Sequence, residues 1–394
     1  MYKINLEVTQ NSEPWNKTIE ERLKIILQAK SKGKKIALIL YEMVDTSTFR
    51  YRAYNIVQRT LDSQYWQSIY FFKTEINQVI KLLPEVSLLI LTRFRWVHDI
   101  DKLLHYAKCF NVKVLFDTDD LICDINYLNL VTNTLNVDFS SEAVYDSWFA
   151  NISRLYLTAS KADGFICTNS FLGEKLKDLY NKEYCIIKNS INDEQKGFSE
   201  KCLKIKNKLS SNKPFTIGYF SGTPTHINDF KVIYMEILQL LIDFSDINLL
   251  VVGFMEFPQE VQPLIDQGRI RYSPLVNFIE LQRLIAEVDV NIVPLVVNSF
   301  TNCKSELKFF ESAIVNTLTV ASPNFTYKNA INHGYNGFLC NEGQWYQTIK
   351  SIYKKEVALN EIINNAREYC LNNYYGDTCL KEIENSYDTM MEII

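Results

Sequence analysis

The sequence predicts an α/β protein built from two doubly wound halves facing each other across a cleft. Three observations lead there. The chain has 394 residues, more than one hydrophobic core ordinarily serves. Short, apolar, β-branched runs alternate with helical periodicity along almost its whole length, the pattern of parallel strands covered on both faces. The alternation breaks once, in a polar stretch rich in Lys, Ser and Asn, and then restarts.

In the first half the runs 35–41, 67–72, 86–92, 113–116, 164–168 and 184–188 read as strands. Amphipathic segments 49–60, 98–109, 142–160 and 171–180 fit between them as helices. The second half repeats the scheme, with strands at 215–220, 247–252, 270–272, 290–295, 318–321 and 337–340. Its helices are expected at 229–244, 278–288, 304–315 and 344–354. The division expected is residues 1–195 for the first Rossmann-like domain, 196–213 for a linker and 214–375 for the second domain. A last helix, 376–394, would be free to pack back on the first domain. No short-period repeat is visible, which argues against a solenoid.

Hydrophobic residues make up 47% of the chain and charged residues 22%, with a net charge of −4. That balance argues against a nucleic-acid binder working by broad phosphate neutralisation. Nine cysteines are scattered without a Cys-x-x-Cys pair, as expected of reduced, mostly buried thiols in a cytoplasmic protein. Residues 1–15 lack the apolar core of a secretion signal, and no apolar run reaches membrane-spanning length. His98, His105 and His333 show no metal-ligand spacing.

In such a pair of sheets, ligands bind beyond the carboxyl ends of the strands. The segment 303–311 precedes the strand 318–321. On a helix at about 100° per residue, Lys304, Lys308 and Glu311 fall within an arc of roughly 60°. Two ammonium groups near a helix start suit a diphosphate, and a carboxylate one turn on suits ribose hydroxyls. The same three side chains also read as a solvated face with an internal Glu–Lys pair. Beyond the strand 215–220, Ser221, Gly222 and Thr223 offer hydroxyls and close backbone approach to phosphate, or simply a turn and helix cap. No Gly-Lys-Ser/Thr follows, so this is not a P-loop.

Past the strand 113–116 stand Asp117, Asp119 and Asp120, which could bind acceptor hydroxyls, act as a base, hold a divalent cation or cap a helix. Arg50 and Arg52 follow the first strand, and Arg93 and Arg95 the third. Two residues apart, each pair diverges on a helix and shares a face only in an extended loop.

Three runs carry a family resemblance: Gly218-Tyr-Phe-Ser-Gly-Thr-Pro-Thr-His-Ile-Asn-Asp-Phe230, Asn302-Cys-Lys-Ser-Glu-Leu-Lys-Phe-Phe-Glu-Ser-Ala313 and Gly334-Tyr-Asn-Gly-Phe-Leu339, with Trp345 beyond. They resemble the retaining GT-B glycosyltransferases of family 4, in the branch that builds bacterial cell-surface polysaccharides, rhamnosyltransferases included. The resemblance implies a sugar moved from a nucleotide diphosphate donor to a glycan or lipid-linked glycan. It implies no metal or other cofactor, and a cytoplasmic enzyme, peripheral to the inner membrane face.

Residue by residue, Glu311 matches the second glutamate of the family's E-x7-E motif, which binds the donor ribose; the first falls at Cys303. The family's Gly-Arg…Lys pair is replaced by Ser221, Gly222 and Thr223, and the charge balance assigns its role at the diphosphate to Lys304 and Lys308. Where many relatives carry a histidine, this chain has Asp119. The catalytic candidates are therefore Asp119, Asp120 and Lys308, with Arg50 and Arg52 on the acceptor or phosphate side. A catalytically silent GT-B partner subunit and a GT-B sugar-nucleotide epimerase remain as alternatives.

Overall fold

The computed structural model describes residues 13–45, 47–208, 213–222 and 227–393. Six parallel strands form the first sheet: β1 (Lys35–Tyr41), β2 (Trp66–Phe72), β3 (Leu88–Thr92), β4 (Lys113–Thr118), β5 (Gly164–Cys167) and β6 (Tyr184–Ile186), in the order β2-β1-β3-β4-β5-β6. The second sheet holds β7 (Phe215–Ser221), β8 (Ile247–Gly253), β9 (Ile270–Ser273), β10 (Val290–Val293), β11 (Leu318–Ala321) and β12 (Phe338–Leu339), in the order β12-β11-β10-β7-β8-β9. Each pair is parallel, and the central strands are buried along their length on both faces. Burial on both faces is why these strands read as continuous apolar runs rather than alternating ones.

Each sheet has its own apolar core, and a third cluster lies where the halves meet. There Tyr51 and Ile191 pack with Cys202, Phe309, Phe310 and Tyr374. Fully burying one such phenylalanine contributes roughly 1.5–3 kcal/mol, so this junction is a core rather than a hinge of loose loops.

The stretch 196–213, expected as a linker, opens within a helix, Asp193–Lys206, capped by the Asn192 side chain; residues 209–212 of it lie outside the described residues. Its buried Ser199, Cys202 and Leu203 face the helix Phe278–Glu287, with Gln282 Nε2 donating to Ser199 Oγ at 3.0 Å. The polar composition that suggested a linker belongs to its outer face. The helix expected at 304–315 is also shorter, Leu307–Ala313. A separate turn of helix, Ser299–Asn302, capped by Asn298, ends before Lys304.

The last helix, Asp377–Ile393, lies on the first half. Tyr387 is fully buried there, edge-on to Trp66 at 5.1 Å, and its hydroxyl meets that of Ser68 at 3.1 Å. Among the described residues, no helix is long and apolar enough to cross a membrane. The nine cysteines are free, and all but Cys109 are buried.

Candidate functional site

The carboxyl ends of the two sheets carry the charged side chains, each placed by a specific local device. On the second half, β7 ends at Ser221 against the end of β8. Gly253 there has φ +105°, and a Cβ on it would stand 1.7 Å from Ser221 O, so only glycine lets the strand ends meet. Ser221 is buried, and a Cβ on Gly222 would meet open space. Thr223 lies outside the described residues.

Asn291 on β10 fixes the helix Leu307–Ala313: its Nδ2 donates to Lys308 O at 3.1 Å and to Ser312 Oγ at 2.7 Å. Phe309 and Phe310 bury the face beside them. Lys308 points its ammonium near the Tyr219 ring, 5.8 Å from the centroid. Burial pushes Lys308 down to about 8, partly offset by Asp229 and reinforced by Lys304. The Glu311 carboxyl is raised by burial and drawn back by Arg50. Its Oε1 accepts the Tyr51 hydroxyl and lies 3.6 Å from Arg50 Nη2, both from the first half.

Lys304 does not share the face of Lys308 and Glu311, because it precedes the helix. Its ammonium crosses to the first half, 3.4 Å from Asp120 Oδ1, and lies over the Phe300 ring at 4.5 Å. Cys303 is buried. Its Sγ donates to Ser299 O, and its carbonyl accepts Asn169 Nδ2 at 2.8 Å. Glu306, which drew no attention in the sequence, is also buried and accepts the Tyr374 hydroxyl at 2.7 Å.

On the first half, Arg50 to Tyr54 form a π-helical turn, in which the Asn55 N–H reaches back to Arg50 O. Asp45 Oδ1 anchors the approach to it by accepting the Phe49 N–H at 2.9 Å. The wider turn sends neighbouring side chains in different directions. Arg50 and Tyr51 meet the second half, whereas Arg52 points inward. Arg52 Nη2 donates to Asp117 Oδ1 at 2.6 Å, Nε reaches both Asp117 oxygens, and Nη1 reaches Ile187 O at 2.6 Å and Asn189 Oδ1. Arg52 is fully buried, so the expectation that it lines the cleft needs correcting: its donors are held by its own domain.

Asp119 and Asp120 gather around Arg93, whose Nη1 donates to Asp119 Oδ1 at 3.1 Å and lies 3.7 Å from Asp120 Oδ2. Arg93 has φ +44°, secured by its N–H on Asp117 O at 2.8 Å. A non-glycine, non-Asn residue is uncommon in the left-handed region, and the sequence carries no sign of it. Burial raises the Asp119 carboxyl, and Arg93 opposes the rise. Arg95 is occupied by Glu42, with Nε donating to Oε1 at 2.7 Å. Among the described residues, no group of three His, Cys, Asp or Glu is arranged to hold a metal ion.

The site thus brings Lys308, Glu311, Lys304, Asp119, Asp120, Arg93, Arg50 and Tyr51 together from both halves at the facing strand ends. No family model matches the sequence, and no curated protein matches it. Solved structures resemble it in three dimensions. HepE from Anabaena, in complex with UDP and glucose, superposes with a TM-score of 0.59 at 13% identity, covering 90% of this chain and 100% of that one. A glycosyltransferase from Rickettsia africae gives 0.58 at 16% identity, over 92% and 100%. Sucrose-phosphate synthase from Thermosynechococcus elongatus gives 0.56 at 11%, over 92% and 100%. The fold is that of the GT-B glycosyltransferases, two Rossmann-like domains with facing strand ends. At these identities the likeness is one of fold.

Proposed function

We propose that this chain is a glycosyltransferase that moves a sugar from a nucleotide diphosphate donor to a glycan or lipid-linked glycan. The observation that carries the reading is the buried Lys308 and Glu311 of the second half, with Lys304 near Lys308 and reaching across to Asp120 of the first. A cation beside the strand-end loop suits a diphosphate, a carboxylate suits the ribose, and the facing carboxylates suit acceptor hydroxyls. HepE, of the same fold, was solved with UDP and with UDP-glucose.

Transfer proceeds through a loose transition state, in which a positive sugar separates from the leaving diphosphate. Lys308, the Ser221–Gly222 backbone and Lys304 stabilise the growing negative charge. The leaving diphosphate takes the acceptor proton on the same face, which gives retention without a protein nucleophile or a metal. Asp119 and Asp120 orient the acceptor hydroxyl, with Arg93 holding the pair. The setting proposed is cell-surface polysaccharide synthesis at the inner face of the membrane.

One observation favours a second reading, a catalytically silent partner subunit. The thiol that stands at the family's first glutamate is buried and committed to Ser299 O. Thermal-shift titration with nucleotide diphosphates and their sugars tests the donor site, and release of nucleotide with an added acceptor separates enzyme from silent partner. Failure to bind any nucleotide diphosphate overturns the enzyme reading and leaves the silent partner.

A further inference from the structure

We propose that a groove on the outer face of the first half binds an anionic glycan chain, and that this chain is the acceptor, so that the sugar is added to a polyanionic polymer. The acceptor role rests on the transferase reading; the groove itself does not. It runs between helix His98–Cys109 and the end of helix Glu142–Lys161, over the start of β4, with a volume of about 800 Å³, in the range of ligand sites. Four ammonium groups, those of Lys102, Lys108, Lys113 and Lys161, line it together with the imidazoles of His98 and His105. Two carboxylates face them, Asp101 and Asp163. Asp163 Oδ2 is already engaged, accepting the Val114 N–H at 2.8 Å.

The positive charge is concentrated and unanswered. The whole chain carries a net charge of −4, yet Lys102, Lys108 and Lys161 are exposed here and, among the described residues, none of the three makes an ion pair or a side-chain hydrogen bond. A further cation stands beside the lower end: Lys182 Nζ donates to Ser160 O at 2.7 Å. Burial lowers the Lys182 ammonium, and the charge of Lys161 adds to the effect. Like charges gathered along one groove repel, and a multivalent anion relieves that repulsion. A concave surface of one sign also focuses the field on such a ligand.

Shape and position point to a chain rather than a bilayer. The groove follows the helix from Trp96 and His98 to Asn111 and Lys113, a length of about 18 Å for twelve helical residues. A linear polymer lies along such a trough, whereas a flat layer of headgroups meets only its rim. The upper end adjoins the site. Trp96 is fixed there by two bonds, its N–H donating to Arg154 O at 2.9 Å and its carbonyl accepting Arg154 Nε at 2.8 Å. Arg93, which gathers Asp119 and Asp120, precedes Trp96 by three residues, so at most about 11 Å of backbone separates them. A polymer whose end lies at Asp119 enters the groove past the half-buried Trp96 and continues along the lysines.

The test titrates the full chain with dextran sulfate and with neutral dextran of equal length. Dextran sulfate is expected to bind at least about tenfold tighter, and Lys102→Glu/Lys108→Glu/Lys161→Glu to weaken it by at least about tenfold, with nucleotide diphosphate binding unchanged. Lys24→Glu/Lys201→Glu/Lys354→Glu makes the same change of charge at exposed positions outside the groove and should bind dextran sulfate nearly as wild type does. Equal binding of the two dextrans overturns the inference, and that comparison needs no variant. An equal loss in both variants also overturns it, because overall charge would then do the binding. Phosphatidylglycerol vesicles captured through the three lysines, with dextran sulfate no tighter than dextran, would make the face a membrane contact instead. In a nucleotide-release assay with an acidic capsular polysaccharide as acceptor, dextran sulfate should raise the KM for the polysaccharide and leave kcat unchanged; inhibition with an unchanged KM overturns the acceptor role. Failure to bind any nucleotide diphosphate sinks the transferase reading and the acceptor role with it, while the dextran comparison still decides the groove.

Discussion

Lys304 Nζ lies 3.4 Å from Asp120 Oδ1, a pair that joins the second half to the first across the strand ends. Each side chain is about a fifth exposed, so water screens the attraction and the pair contributes no more than about 1 kcal/mol to stability. The carboxylate occupies Lys304 much as a donor phosphate would. Lys304→Ala should therefore leave urea stability within about 1 kcal/mol of wild type. Transfer should slow by about tenfold, less than the 10²–10³ typical of a fully preorganised contact. Unchanged turnover with a clear loss of stability would make Lys304 only a tether between the halves.

Arg52 and Asp117 form the opposite kind of pair, fully buried and bonded through several atoms. Such a pair gains little over an apolar replacement, yet removing one member strands the other. Arg52→Ala should cost about 3–5 kcal/mol in denaturant unfolding. An Arg52→Met/Asp117→Leu double variant should recover much of the loss. The two-state midpoint in urea measures both, and a loss under about 1 kcal/mol for Arg52→Ala would show that Asp117 is not stranded.

Asp117 and Asp119 match the Asp-x-Asp spacing of metal-dependent glycosyltransferases. In the fold their charges are met by Arg52 and Arg93 respectively. A bound divalent cation would have to compete with both guanidinium groups. Turnover is expected to survive excess EDTA without loss. Abolition by the chelator, with recovery on adding magnesium or manganese, would return the two carboxylates to metal binding.

The central strands were legible because each is an apolar run bounded by polar turns, buried on both faces; the edge strand β9, Ile270–Ser273, is only partly buried and was legible only from its place in the alternation. The expected run 290–295 overshoots β10 by two residues, since Pro294 and Leu295 continue the apolar pattern after pairing stops. The helix Asp193–Lys206 was hidden because its apolar stripe is narrow and its outer face is lysine-rich. At the site, Glu311 and Lys308 carried a motif, whereas Tyr51 carried none. A tyrosine between two arginines reads as a surface residue until a π-turn and a second domain bury it. Arg93 was noticed for its place after a strand, but its left-handed backbone, set by contact with β4, leaves no trace in the sequence.

Lys308 gives the sharpest test of the reaction chemistry. Its ammonium is buried, and burial brings it down to about 8 in the unliganded protein. If it stabilises the leaving diphosphate it must be charged, so kcat/KM should be level below that pH and fall as pH rises through it. The free enzyme sets that limb, because kcat/KM reports groups in the unliganded state. Lys308→Arg keeps a cation that does not titrate in this range and should move the fall to higher pH, even if the rate is lower. Lys308→Ala should lower kcat by about 10²–10³, with a smaller effect on donor affinity, because the negative charge grows as the glycosidic bond breaks. A Lys304→Ala/Lys308→Ala double variant that folds normally and turns over at a near-native rate would remove both lysines from the chemistry.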